Sequence, residues 1–220
     1  MAKTAKVLTI PLLCREAKSF AAKESTHLEP ALYGVTDGKA VGTYFEQKFI
    51  VHLRNTYSFG KGSAALGVDF PELRVDIKVT SIRQPQSSCP FTSARQKVYG
   101  LGYSLLVFVY DKKDDHRRKV GKLEIKHVIF VKEERTADYQ TTTGLLKLLE
   151  SNANEDDIAA FLQERHLPVD DIQASQLAAE VLRNRPVEGF LTISNALQWR
   201  LQYRRVINEA GKITGLDRIL

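Results

Sequence analysis

The chain has 220 residues, 43% of them apolar and 26% charged, which is the composition of a folded protein and excludes disorder as the default. No apolar run approaches the roughly 20 residues of a membrane helix, and Met1-Ala-Lys-Thr-Ala-Lys is followed by no signal-peptide core, so a cytoplasmic protein with no membrane partner is expected. Cys14 and Cys89 stand far apart and make neither a zinc site by themselves nor a disulfide framework, while a net charge of +6 and a pI near 9.2 favour a polyanionic partner.

Leu12 to Lys23 is compatible with a first helix, and Tyr33-Gly-Val-Thr-Asp-Gly-Lys reads as a loop from its turn residues. A clearer helix runs from about Val41 to Tyr57, where Phe45, Phe49 and Leu53 recur at four-residue spacing. Gly60, Gly62 and Gly67 mark a loop. Leu73 to Ser81 alternates like a strand: Val75, Ile77 and Val79 face one way, Asp76, Lys78 and Thr80 the other. Residues 82–92, with two prolines and many hydrogen-bonding side chains, read as a loop, and Ser93 to Gly102 as a short helix. Ser104 to Tyr110 is continuously apolar, as a strand buried on both faces is. Asp111 to Lys119 is a charged turn, and Lys122 to Val131 another strand. Beyond about Asp138 the periodicity is helical, ending in a long helix from Ile193 to about Glu209. A boundary near residue 150 divides the chain into 1–150, the core with an N-terminal extension, and a helical region, 151–220.

The chemistry concentrates at Asp69, Asp76 and Lys78. Asp69 precedes Phe70-Pro71 at the lip of a turn, and Asp76 and Lys78 emerge on one face of the next strand. If the segment before Pro71 pairs back on that strand, the two carboxylates converge. At about 4 Å they would repel by roughly 4 kcal/mol at an effective dielectric near 20, and a cation between them relieves that. Hard oxygen ligands without His or Cys favour Mg²⁺. A cation of that kind lowers the pKa of a water and polarises a phosphoryl oxygen, and a lysine beside it offsets charge in the transition state. Those are the requirements of phosphodiester hydrolysis.

Asp69 with Asp76-Ile77-Lys78 resembles the motif of the PD-(D/E)xK nuclease superfamily, most closely its type II restriction endonucleases. Val68 stands where the motif's proline would be, a position the family can vary. The order helix, strand hairpin, helix, strand between Val41 and Tyr110 is similar to the family's αβββαβ core, and the resemblance covers about residues 41 to 131. It implies an α/β fold with a central mixed sheet flanked by helices, followed here by the C-terminal helical region. It implies that Asp69, Asp76 and the backbone carbonyl of Ile77 bind Mg²⁺, that Glu46 on the preceding helix assists catalysis, and that Gln96 lies near the site and the DNA.

Two further groups suit double-stranded DNA. Arg83, Gln84, Gln86, Ser87 and Ser88 crowd the loop after the catalytic strand, where such side chains reach bases or phosphates. On the expected final helix Asn195, Gln198, Gln202 and Arg205 form one polar stripe able to read bases, with Arg200 and Arg204 placed for phosphates. Helices around 157–165 and 174–183 would complete a helix-turn-helix-like module; the competing reading has the final helix pack on the core or build a dimer. Cutting both strands of a palindrome is simplest for a homodimer. The leading expectation is a site-specific type II restriction endonuclease. A repair or recombination nuclease of the same core and a non-enzymatic helix-turn-helix DNA-binding protein are the alternatives.

Overall fold

The computed structural model describes residues 6–60, 67–89, 92–194 and 199–220. In chain order its elements are β1 (Lys6–Val7), α1 (Ile10–Glu24), α2 (Gly38–Arg54), β2 (Tyr57–Ser58), β3 (Val75–Ser81), β4 (Gln86–Cys89), α3 (Arg95–Tyr99), β5 (Ser104–Asp115), β6 (Val120–Val131), α4 (Tyr139–Glu150), α5 (Glu155–Glu164), α6 (Asp171–Arg183), β7 (Thr192–Ile193), β8 (Trp199–Gln202), α7 (Arg204–Glu209) and β9 (Leu216–Arg218). They form two units that interleave along the chain. One takes Met1–Gln86, Leu105–Val131 and Glu209–Leu220, the other Ser87–Ser104 and Lys132–Asn208.

The first unit holds the central mixed sheet of the expected α/β fold, with strand order β3-β5-β6-β9. β5 and β6 are antiparallel, as are β6 and β9. Leu105 to Val109 are fully buried, as a continuous apolar run requires. The charged segment after them extends the ladder instead of turning. Asp111 to Asp115 pair with Val120 to Glu124, helped by a Lys113–Glu124 ion pair at 3.1 Å, so the turn shrinks to residues 116–119. Polar alternation along a two-stranded ribbon is compatible with strand, and charge alone does not end one.

The helix carrying Glu46 forms for local reasons first. Asp37 caps α2, its side chain accepting from the N–H groups of Lys39 (3.0 Å) and Ala40 (3.2 Å). Val41, Phe45, Phe49 and Leu53 then fall on one buried face. The Phe45 and Phe49 rings meet Phe108 of β5 at 4.8 and 5.3 Å, each burial contributing about 1.5–3 kcal/mol. α2 packs on β3 at Gly42, where a Cβ would make ordinary contact with the Val79 carbonyl oxygen at 3.9 Å and Glu46 Oε1 at 4.0 Å.

In the second unit, Leu145 of α4, Ile158 and Leu162 of α5, and Leu177, Ala178 and Val181 of α6 share a core with Val98 of α3. Asn154 and Asp170 begin α5 and α6 with reciprocal capping boxes. Gly144 permits close packing of α4 on α5, since a Cβ there would fall 2.2 Å from the Phe161 ring.

Three further local expectations are corrected. The loop 82–92 contains β4, and the helix expected over 93–102 is confined to Arg95–Tyr99. The long helix expected from Ile193 to Glu209 is instead β7, β8 and the short α7. Trp199, Leu201 and Tyr203 are buried while Arg200 and Gln202 are exposed. On a helix, residues two apart point in nearly opposite directions, so three apolar residues at that spacing cannot share one buried face; on a strand they must. β8 joins β4 and β7 in a three-stranded sheet.

Candidate active site

A tight hairpin brings the acids together. Phe70 and Val75 exchange backbone hydrogen bonds, Phe70 N–H to Val75 O at 2.9 Å and Val75 N–H to Phe70 O at 3.2 Å. Between them Pro71–Leu73 form a 3₁₀ turn that closes through Arg74 at φ +52°. Asp69 therefore lies back over β3, where its Oδ2 accepts the Ile77 N–H at 2.8 Å. Asp76, two residues before Lys78 on the same face, is within hydrogen-bonding reach of Asp69.

Asp76 is 3% exposed. Its Oδ2 lies 2.6 Å from Lys78 Nζ, an ion-pair approach without hydrogen-bond alignment, so this buried oxygen keeps acceptor capacity. Burial raises the Asp76 carboxyl to about 7; Lys78 opposes the rise, and Asp69 adds to it. Glu46, reaching from α2, is also pushed up to about 7, first by burial and then by the charge of Asp69, with Lys78 again opposing. Three acids and one lysine thus converge electrostatically. Among the described residues, no three His, Cys, Asp or Glu side chains form a closed metal cage. The donor set fits a divalent cation nonetheless: two hard carboxylates, one with a buried oxygen that takes no directed hydrogen bond.

Thr80 is a contributor that the motif did not single out. It is 3% exposed; its Oγ1 accepts the Gln86 N–H at 2.9 Å and donates to the Gln86 carbonyl at 3.0 Å, closing the loop after β3. The signal was present, because Thr80 shares the alternating face of Asp76 and Lys78. Arg83 and Gln84 in that loop are exposed, with Arg83 Nε 3.9 Å from Asp111 Oδ1. Gln86 is half-buried.

The other candidates fall in the second unit. Ser87 Oγ is 2.5 Å from Tyr203 OH, and Ser88 is exposed. Gln96 Nε2 donates to the Leu101 carbonyl at 3.0 Å. Arg200 and Gln202 are exposed on β8 and Arg204 on α7, whereas the Arg205 guanidinium stacks 3.5 Å over the Tyr139 ring. Gln202 and Arg205 belong to different elements and do not share the expected helical stripe. Asn195 and Gln198 lie outside the described residues.

Comparison with known proteins identifies the family. The family model described as type II restriction enzyme NspV matches residues 7–218. The type II restriction enzyme NspV of Nostoc sp. is 60% identical over 210 residues, covering 96% of each chain. No solved structure matches. A family model spanning nearly the whole length, and a relative this similar, place the chain in the type II restriction enzyme NspV family.

Proposed function

We propose that this chain cuts double-stranded DNA at a specific short sequence, hydrolysing one phosphodiester in each strand with Mg²⁺ at Asp69, Asp76 and Lys78. Family membership supports site-specific DNA cleavage. The observation that carries the site is the Asp69 carboxylate clamped to the Ile77 N–H beside the buried Asp76–Lys78 pair. Asp69, Asp76 and the Ile77 carbonyl are the groups that would hold Mg²⁺, which keeps places for water and phosphate oxygens when bound by few carboxylates. When bound, the cation supplies Lewis acidity, drawing charge from the phosphate and lowering the pKa of a water.

The chain's own groups do the rest. Lys78 Nζ donates toward the reacting phosphate and offsets the charge that grows in the transition state. Glu46, with a carboxyl near 7, is matched to accept a proton from the attacking water at neutral pH. Arg83, Gln84, Gln86, Ser87, Ser88 and Gln96 are proposed DNA contacts. Residues 151–208 are proposed to recognise DNA or build a homodimer, while residues 209–220 pack with the first unit. A cytoplasmic location accords with the absence, among the described residues, of any helix long and apolar enough to cross a membrane.

The test is a digest of fully sequenced, unmethylated phage DNA with Mg²⁺ or EDTA, using wild type and Lys78→Ala. Discrete Mg²⁺-dependent fragments lost in the variant are expected. A smear, or preference for branched substrates, would move the reading to a repair nuclease. Cleavage that survives Lys78→Ala at full rate would remove the chemistry from this cluster.

A further inference from the structure

We infer that the chain reads base edges in the DNA major groove with the exposed face of the β4-β8-β7 sheet, Arg200 and Gln202 being the specificity-determining side chains. The inference rests on the proposal that the substrate is duplex DNA. Thr192 pairs with Gln202 and Ile193 with Leu201. Ser194 N–H donates to the Arg200 carbonyl at 3.1 Å, and Arg200 N–H donates to Ser194 Oγ at 2.9 Å. One face is therefore Ile193, Trp199 and Leu201, each no more than 4% exposed. The other carries Thr192, Ser194, Arg200 and Gln202, with Arg200 and Gln202 exposed. On the neighbouring β4, Cys89 is buried and Ser88 is exposed.

Charge selects the occupant of this face. Neither residues 77–110 nor residues 189–208, which together supply all three strands, contain a single Asp or Glu, although the chain has 26 acids in 220 residues. The face carries Arg200, with Arg204 exposed just beyond β8. Strands that offer a cation, amides and hydroxyls and contain no carboxylate of their own suit a polyanion whose interior edges donate and accept hydrogen bonds.

Geometry narrows this to base reading. The major groove admits a β-ribbon as well as a helix. Side chains two apart on a strand are about 7 Å apart, close to two base-pair steps at about 3.4 Å each. Arg pairs bidentately with guanine and Gln with adenine. Arg205 takes no part, because its guanidinium is held over Tyr139; Arg204, at the start of α7, is placed to contact phosphate.

The test is cleavage of a duplex library randomised across the site, with the cut ends sequenced, for wild type, Gln202→Ala, Arg200→Lys and Lys78→Ala. Gln202→Ala and Arg200→Lys should each lose discrimination at a defined base pair of the half-site by about ten- to a hundredfold, with other positions unchanged. Arg200→Lys keeps the charge but loses the two-pronged donor, so an Arg200 that merely neutralises phosphate would leave base preference intact and overturn its reading role. An unchanged preference in Gln202→Ala would overturn the inference for the face. Failure of the cleavage proposal itself is distinguishable: wild type would then cut nothing, or Lys78→Ala would cut as well as wild type. Both side chains are exposed, and an unchanged melting temperature confirms that the variants are folded.

Discussion

β3 and β8 are both short strands that alternate, yet their polar residues meet opposite fates. On β3, Asp76 and Thr80 are buried at 3% exposure each, and Lys78 is largely covered. On β8, Arg200 and Gln202 stand in solvent while Trp199 and Leu201 are buried. A charge taken out of water is costly unless it is paired or holds a cation, so β3 is an arrangement that chemistry has to justify. An exposed arginine costs nothing to keep and is free to meet a partner. Burial of polar groups distinguishes the proposed reacting centre, and exposure of polar groups over an apolar underside distinguishes the proposed recognition face.

The most severe way to break β8 is from beneath. Trp199→Ala should cost about 3–5 kcal/mol through lost burial and a cavity, read as a lower denaturation midpoint. Retention of full stability would mean that the face under Arg200 is not a packed support. On β3 the comparable loss is in rate. Lys78→Ala should lower cleavage by about 10²- to 10³-fold while the melting curve stays close to wild type, because the residue removed is a cation beside a protonatable acid, not packing.

Acidity sharpens the contrast, since Asp76 on β3 and Glu46 on α2 carry raised carboxyls. Glu46 and Asp76 sit near 7 in the folded protein, above their unfolded values of about 4. The native state therefore binds their protons more tightly than the unfolded state. That stabilisation is fully present below about pH 4 and is lost as pH rises toward about 7. The metal-free protein should melt at a lower temperature at about pH 8 than at about pH 5, and Glu46→Gln should flatten part of the fall. Cleavage should rise over the same interval as the carboxyls ionise. A melting temperature that climbs across the interval would show that these acids are not held as a buried cluster.

Smaller effects follow from the loop and the surface. Thr80→Val removes the hydroxyl that bonds the Gln86 N–H and carbonyl and should cost about 0.5–1.5 kcal/mol, measured by denaturant titration, because the Gln86 N–H keeps the Gln84 carbonyl at 2.9 Å. Arg200→Ala should change stability by less than about 0.5 kcal/mol, as exposed sites do. A larger loss would make Arg200 a structural residue and weaken the contrast between the two strands.

Much of the site was legible in the residues. The Phe45–Phe49–Leu53 stripe specifies α2, although its start at the Asp37 cap was read as loop, and the alternation of residues 75–80 puts Asp76, Lys78 and Thr80 together. The hairpin was conditional on Phe70 pairing with Val75, which local turn chemistry permits but does not compel. The final segment was misread because a run such as Leu197 to Val206 supplies apolar residues at spacings of both two and three to four. Only the alternation Trp199-Arg200-Leu201-Gln202-Tyr203 separates the periods, and it spans five residues.

By itself, the sequence determined what depends on near neighbours: the helix face, the strand alternation, the acid–acid–lysine motif and the positive charge. Tertiary structure decided what depends on distant partners. Burial of Asp76, the approach of Glu46 across Gly42, the stacking of Arg205 on Tyr139 and the choice of strand for β8 each require a surface from elsewhere in the chain. The interleaving of the two units has the same origin, because strands pair with whatever edge lies beside them and carry no local mark of which edge that will be.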